Sequence, residues 1–472
     1  MRKWLFFLLL LSACSPKLRK DTLNDPLPQP DLQQTAEYAL KNQHFFWGDW
    51  PNEKWWEMFH SCELNSLVEQ ALQSNPNILA VQQRVNVARN EAIITRSKIF
   101  PLIFLNGNEA WQYLSKTGLL HTLNPALTRS TDDIYAALSV NYEVDIWWKY
   151  HNLYYAAMGR EQAKEAEQAQ VELVVATMLS QAYFALKTNL VRQKLFYQLQ
   201  EARQLFFNLS VHVQERALTS MFEPALALEQ LEDAKKLVYE IDAEVRNNIH
   251  VINILRGVGP DEPICVDELP LEPPKEMAIP ETLSLDLLAR RPDLAAAILR
   301  AKAQAFEIKA AIADFVPNID LRAIIALSTL QWSELFRAYS SQPGLLPALH
   351  MPIFTAGAIK SGVRKNTALF NEAVQEYNSL LLKASQEVAD LLVVLDAVYE
   401  KRKAQDVILT SADFRYDLAS LNYMHGLDNM FNVYEKEIEW IEKALVDVEL
   451  IYAQYTTSIG LIKALGGGYC HN

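Results

Sequence analysis

Residues 358–425 read AIKSGVRKNTALFNEAVQEYNSLLLKASQEVADLLVVLDAVYEKRKAQDVILTSADFRYDLASLNYMH, and the fold turns on them. The stretch holds no proline and a single glycine, Gly362. As one helix it would be about 100 Å long at ~1.5 Å per residue. A helical pattern far beyond ~25 residues signals a coiled coil, a membrane span or a helical repeat. Recurrent charges at Glu372, Glu376, Glu387, Asp390, Asp396, Glu400 and Lys401 exclude a span. Val388, Leu391, Leu392, Leu395 and Val398 supply an apolar seam at coiled-coil spacing. A second such stretch, Lys149 to Ala217, again lacks proline and has only Gly159. Each is followed by a break and another helical run, Ala225–Arg256 and Leu427–Leu465. Two very long antiparallel helical hairpins are therefore expected.

The chain upstream of each hairpin repeats itself. LNSLVEQALQSNPNILAVQQRVNVARNEAIITRSKIFP begins at Leu64, and LSLDLLARRPDLAAAILRAKAQAFEIKAAIADFVP ends at Pro317. Pro76 matches Pro292 and Pro101 matches Pro317, both at an offset of 216 (292 − 76, 317 − 101) with no gap. Leu67/Leu283, Leu72/Leu288 and Arg84/Arg300 fall in the same register. Self-similarity at a fixed offset marks an internal duplication.

After each second proline the period of the apolar residues changes from 3.6 to 2. Between Ile134 and Trp148 the apolar set is Ile134, Ala136, Leu138, Val140, Tyr142, Val144, Ile146 and Trp148. Such alternation suits a strand with lipid on one side and water on the other. Ile319, Leu321, Ala323, Ile325 and Leu327 repeat it, and Leu345, Leu349, Met351 and Ile353 form a weaker fourth set with Pro347 and Pro352. The first strand, from Leu102 to about Tyr113, puts Glu109 on the side of Ile103, Leu105 and Trp111. Either its register slips there or Glu109 sits near headgroups. A soluble antiparallel sheet with one wet face is the alternative for all four. Four strands cannot close around a pore, since small barrels need about eight. An open edge is forbidden in lipid, so a membrane reading requires oligomers.

The amino terminus is MRKWLFFLLLLSAC. Arg2 and Lys3 precede a short apolar run, followed by small residues, as in a signal peptide. Leu11-Ser12-Ala13-Cys14 resembles a bacterial lipobox, with cleavage before a lipid-modified Cys14, and Ser15 favours the outer membrane. Loss of residues 1–13 would take the charge from −13 to −15 (−13 − 2). That balance argues against a nucleic-acid partner. A mean hydropathy of −0.06 argues against a helical membrane protein. Cys62, Cys265 and Cys470 form no CxxC motif, so neither a zinc nor a redox site is signalled. Pro26, Pro28 and Pro30 make an extended leader, and Trp47, Trp50, Trp55 and Trp56 read as anchors for it. The divisions are a signal peptide (1–13), an anchored leader (14–63), a first repeat (64–259), a linker (260–282), a second repeat (283–466) and a tail (467–472). No GxSxG, HExxH, P-loop or GxGxxG occurs. His425 reads as a turn residue rather than a metal ligand, and no catalytic, cofactor or metal site is expected.

This layout resembles the outer-membrane efflux proteins of the TolC and OprM type, and more closely their lipoprotein branch. The residues that carry it are the lipobox, Trp55-Trp56, the Leu72–Ala80 motif, Tyr142-Glu143-Val144-Asp145, Pro352-Ile353-Phe354 with Gly357, and Gly426-Leu427-Asp428-Asn429. The family's glycine and basic residue after the first β unit are replaced by Trp147-Trp148-Lys149. The resemblance implies a homotrimer closing one twelve-stranded barrel in outer-membrane lipid and an α-helical tunnel in the periplasm. It implies a periplasmic adaptor and an inner-membrane pump of the RND or ABC type as partners, and no enzyme activity. A type I secretion channel is the alternative cargo route; a coiled-coil adhesin or structural lipoprotein and a periplasmic enzyme scaffold are the alternatives of other classes.

Trp111 is expected at the outer aromatic girdle and Trp148, with Trp147, at the periplasmic one. A second offset, 209 (426 − 217), lays Ala217–Glu223 over Gly426–Asn432, with Met-Phe coinciding. Those breaks would be the periplasmic tips. Carried over from the family, Phe431 falls on an apolar gate ring and Glu435, four residues on, on an acidic one, with Glu223, Asp428 and Gly426 beside them. Three Glu435 carboxylates near one axis would favour cations; a plain wet helix residue is the alternative.

Overall fold

The structure, a computed structural model, describes residues 23–470 except 29, 31, 42–43, 127, 265, 267–269 and 282–289. In chain order the elements are α1 (Gln33–Leu40), β1 (Phe45–Gly48), α2 (Cys62–Ser74), α3 (Pro76–Ser97), β2 (Leu102–Tyr113), α4 (Leu119–Leu123) and β3 (Ser130–Glu143). There follow α5 (Lys149–Glu215), α6 (Phe222–Arg256), β4 (Met277–Pro280), α7 (Pro292–Ala313), β5 (Asn318–Thr329), β6 (Ser341–His350), α8 (Ala358–Met424) and α9 (Met430–Ala464). The long helices of the two halves match in length. Helices α5 and α8 have 67 residues each, and α6 and α9 have 35 each. Cys14 and Cys265 lie outside the described residues, whereas Cys62 and Cys470 are free and exposed.

The chain packs as two compact units, and neither coincides with a sequence repeat. One unit contains Arg84–Lys164 and Ala297–Glu376. Its sheet is antiparallel, in the order β2-β3-β5-β6. Beside the sheet, Gly159 of α5 meets Ala303 of α7 so closely that an added Cβ would lie 3.0 Å from the alanine Cβ. Arg160 of α5 pairs with Glu307 of α7 at 2.7 Å, and Arg89 of α3 pairs with Glu161 of α5 at 2.9 Å.

The other unit contains Leu27–Gln83, Glu165–Ala296 and Tyr377–Asn472. Leu195, Phe196 and Leu199 of α5 pack with Val238 and Ile241 of α6 and with Ile438 and Ile441 of α9. Within the expected α8 seam Val388, Leu392, Leu395 and Val398 are buried, while Leu391 is half-buried. The leader is tied down by a parallel β1–β4 pair. Trp55 and Trp56 are buried beside it, whereas Trp47 is exposed. Pro274 in the linker accepts hydrogen bonds from Tyr399 Oη (2.9 Å) and Gln454 Nε2 (2.6 Å).

The duplication closes each repeat with the same clasp. Asn75, just before Pro76, donates to the carbonyl of Leu255 at 2.8 Å. Arg291, just before Pro292, donates to the carbonyl of Ala464 at 2.9 Å. Gly257 and Gly466 complete the two clasps with φ of 78° and 93°. A Cβ at either would lie within 2.4 Å of a backbone oxygen, that of Ser74 or of Arg290, so only glycine fits. Arg291 also holds Asp293 through two bonds (2.8 and 3.1 Å) and Glu387 at 3.0 Å.

Candidate functional site

Antiparallel pairing fixes which side chains share a face. Leu105, Leu138, Ile325 and Pro343 form one row across all four strands, and Ile103, Val140, Ala323 and Leu345 form another on the same face. Leu105, Ile325 and Leu345 are exposed. The opposite face carries Asn106, Asn108, Asn141, Glu143, Asp320 and Arg322, with Ala137, Ser139 and Ala326 buried among them. One side is therefore apolar and open, and the other mixes these polar residues with Leu102, Phe104, Ile324 and Leu346, which lie toward the helix-joined end. All four helix-joined strand ends, at Leu102, Glu143, Asn318 and His350, lie at one end of the sheet.

Glu109 does stand on the apolar face. Pairing from Leu102↔Asn141 to Tyr113↔Ser130 is unbroken, so the register does not slip. The indole Nε1 of Trp332, beyond β5, donates to the Glu109 carboxylate at 2.8 Å. Trp111 shares that face, is exposed, and donates to Ser130 Oγ at 2.9 Å.

At the helix-joined end β3 is shorter than its alternation. Its last paired residue is Glu143, opposite Asp320, and Val144 N still donates to Ile319 O at 2.9 Å. The partner strand begins at Asn318, and Pro317 has no N–H, so the ladder runs out while the apolar period continues to Trp148. Trp148 sits in the following turn with φ of 61°, at the offset of 209 that links it to Gly357 at φ 85°. The position equivalent to Gly357 is thus filled by a tryptophan in a left-handed conformation. Trp147 donates to Pro317 O at 2.7 Å, and Trp148 lies against His151 with ring centroids 4.9 Å apart. His151 Nδ1 is 2.6 Å from Asp145, and Tyr150 donates to Glu143 at 2.5 Å.

The hairpin tips are built alike. Gly426 has φ of 70°, with Leu427 N donating to Asn422 O at 2.9 Å. Ala217 has φ of 56°, with Leu218 N donating to Val213 O at 3.2 Å. Both are Schellman ends, in which a left-handed residue lets the chain leave the helix. Asn429 caps α9 by accepting from Asn432 N at 3.1 Å. Asp428 accepts from Asn429 N at 2.7 Å and from the Asn432 amide, so its carboxylate is tied into the turn. Phe431 is half-buried and meets Phe206 of α5 edge-on, centroids 5.2 Å apart. Glu435 is exposed, and Glu223 is exposed in the first turn of α6. Burial, with Glu201 as a second cause, pushes the Glu437 carboxyl up. A hydrogen bond from Lys436, with Arg415 adding its charge, holds Glu439 below the usual carboxylate range. Phe206 and Trp332 escape sequence reasoning, since each becomes relevant only through a partner distant in sequence. Among the described residues no group of three or more His, Cys, Asp or Glu side chains is arranged to hold a metal ion.

Residues 67–235 and 283–467 match the model of a family described as outer membrane efflux protein. The multidrug resistance outer membrane protein MdtQ of Escherichia coli O157:H7 is 26% identical over 471 residues, covering 98% of this chain and 96% of the relative. The outer membrane channel CmeC of Campylobacter jejuni superposes with a TM-score of 0.84 at 20% identity, covering 97% of this chain and 95% of the other. The outer-membrane channel OprN superposes with a TM-score of 0.81 at 19% identity, covering 96% and 99%.

Proposed function

The chain belongs to the outer membrane efflux protein family, whose model takes in residues 67–235 and 283–467, and from that premise we propose that it is the outer-membrane exit duct of a tripartite efflux pump. The family is one of transport ducts rather than of enzymes. A relative named for multidrug resistance supports small molecules as cargo. The duct would receive them from a periplasmic adaptor and an inner-membrane pump of the RND or ABC type. Cys14 would carry the lipid anchor, which intact mass of the mature chain reads directly.

The observation that carries the proposal is the open apolar face on a sheet with two free edges, β2 and β6. In lipid no edge can stay unpaired. Three copies joined edge to edge give 3 × 4 = 12 strands and remove both edges at once. A cyclic assembly is the form in which identical subunits close on themselves. Trp111 then joins the outer aromatic girdle, and Trp147 and Trp148 the periplasmic one. Phe431 and Glu435 share one helix face, because side chains at i and i+4 do. Three copies would set them around one axis as the resting gate, with Glu223 nearby; Asp428 and Gly426 shape the turn behind it.

The test is conductance of the purified protein in planar bilayers. The parent should form detergent-resistant trimers that pass ions. Phe431→Ala should raise single-channel conductance, and Glu435→Gln should weaken cation preference and block by divalent ions. A protein that never conducts is not a duct. A conducting protein in which both variants match the parent has its constriction elsewhere.

A further inference from the structure

Beyond β5 the chain makes two short 3-10 turns, Trp332–Glu334 and Ala338–Ser340, before β6 begins. Ile134 shows where this segment lies. It stands on the apolar face, paired with Glu109 on one side and Thr329 on the other. Yet it is 2% exposed, while Leu138, four residues on along the same face, is 44% exposed. Something covers that end of the face. Trp332, from beyond β5, bonds Glu109 on β2, and β3 lies between those two strands. Its indole therefore passes over the row that holds Ile134. Leu335 is buried, and Ser340 Oγ donates to the Glu334 carbonyl at 2.8 Å, which closes the segment on itself. Residues 330–340 are folded down onto the outside of the sheet, at the end remote from the helices.

Large apolar and aromatic side chains stand out on the free side of the segment, beside the exposed Gln331, Ser333 and Arg337. Phe336 is 87% exposed, and Leu330, Trp332 and Tyr339 are exposed beside it. Its charges are one acid and one base, Glu334 and Arg337. We propose that residues 330–340 form a lipid-seated collar in the outer leaflet, with Trp332, Phe336 and Tyr339 at the boundary between acyl chains and headgroups. The Trp332–Glu109 hydrogen bond is the latch that holds the collar to the wall. This rests on the duct reading, in which the face bearing Leu105 and Ile325 meets lipid. Continuity with that face selects the occupant: the collar lies on it, not over the strand ends. Aromatic side chains with an apolar body and a polar edge partition to such a boundary. A carboxylate on an apolar wall is costly unless hydrogen-bonded, and the indole meets that need for Glu109.

The test places a nitroxide label at one site at a time in the full chain, with Cys62, Cys265 and Cys470 replaced by serine and the unlabelled-site parent as background. Labels go on Phe336→Cys in the collar, Leu105→Cys on the apolar face and Asn108→Cys on the polar face. The protein is reconstituted in phospholipid vesicles, and each label is relaxed by oxygen or by a water-soluble nickel chelate. Oxygen should dominate at 336 and 105, and nickel at 108. Adding Trp332→Phe should shift 336 toward nickel, as the collar lifts. Nickel dominance at 336 with oxygen dominance at 105 overturns the collar and leaves the barrel standing. A label at 336 shielded from both, with spin–spin broadening, means that a second copy covers the segment and also overturns it. Nickel dominance at 105 overturns the duct reading itself. An unchanged ratio in Trp332→Phe overturns the latch.

Discussion

Ala217 holds a backbone angle that its side chain makes costly. Its φ of 56° is that of its counterpart Gly426, at 70°. Left-handed conformation costs an L-residue roughly 1–2 kcal/mol, and nothing but the Schellman end of α5 imposes it here. Ala217→Gly should therefore stabilise the protein by about 0.5–1 kcal/mol, and Gly426→Ala should destabilise it by a similar amount. The thermal midpoints of the two variants should move in opposite directions; equal midpoints would mean that the two tips are not built alike. Trp148 presents the same situation against Gly357. The offset of 209 is legible in the sequence, but an alanine carries no mark of strain. That mark comes from where the helix must end, which the apolar period locates only to within a few residues.

At the scale of elements, the proline-free stretches and the paired prolines locate the long helices to within three residues: the two return helices start at Phe222 and Met430, against expected starts at Ala225 and Leu427. Expected ends at Ala217, Arg256 and His425 stand against Glu215, Arg256 and Met424. The strands are legible where one face is apolar, and β3 departs from its pattern only where its partner stops. β1 and β4, four residues each, are too short to show a period. The clasp is the least legible feature, because Asn75 and Arg291 share an offset of 216 but not a residue type. Arg291 is buried against the half-buried Asp293 and Glu387; Glu387 keeps Lys463 at 3.6 Å, so removing Arg291 leaves chiefly Asp293 without its cation. Breaking such a buried arrangement costs ~3–5 kcal/mol. Arg291→Ala should lower the unfolding free energy by at most that amount, seen as a lower denaturation midpoint, and Arg291→Lys by less, since one amine cannot reproduce the bidentate fork on Asp293. A midpoint unchanged in Arg291→Ala would show that the clasp contributes no stability.

For the whole molecule the decisive property is the pairing of an apolar outward face with two open edges. Four alternating segments already demand several copies, because neither edge can end in lipid. What the segments leave open is which side chains stand mid-wall, since alternation alone cannot align one strand with the next. The register does so: Leu138, beside Leu105 and Ile325, stands nearer mid-strand, while Val140, beside Ile103 and Ala323, lies three residues from the helix-joined end of β3. Arginine at Val140 would bring a charge to the lipid side, at a cost below the ~2–4 kcal/mol of the bilayer midplane, since Val140 lies toward the helix-joined end of β3. The matching polar-face control is not Ser139, which is buried and would clash with any long side chain. Asn108 is exposed on that face and can direct an arginine into water. Val140→Arg should reduce the yield of heat-resistant trimer in outer-membrane fractions, while Asn108→Arg should assemble normally. The reverse pattern would mean that the polar face meets lipid. A normal yield in both would mean that the sheet never enters the bilayer.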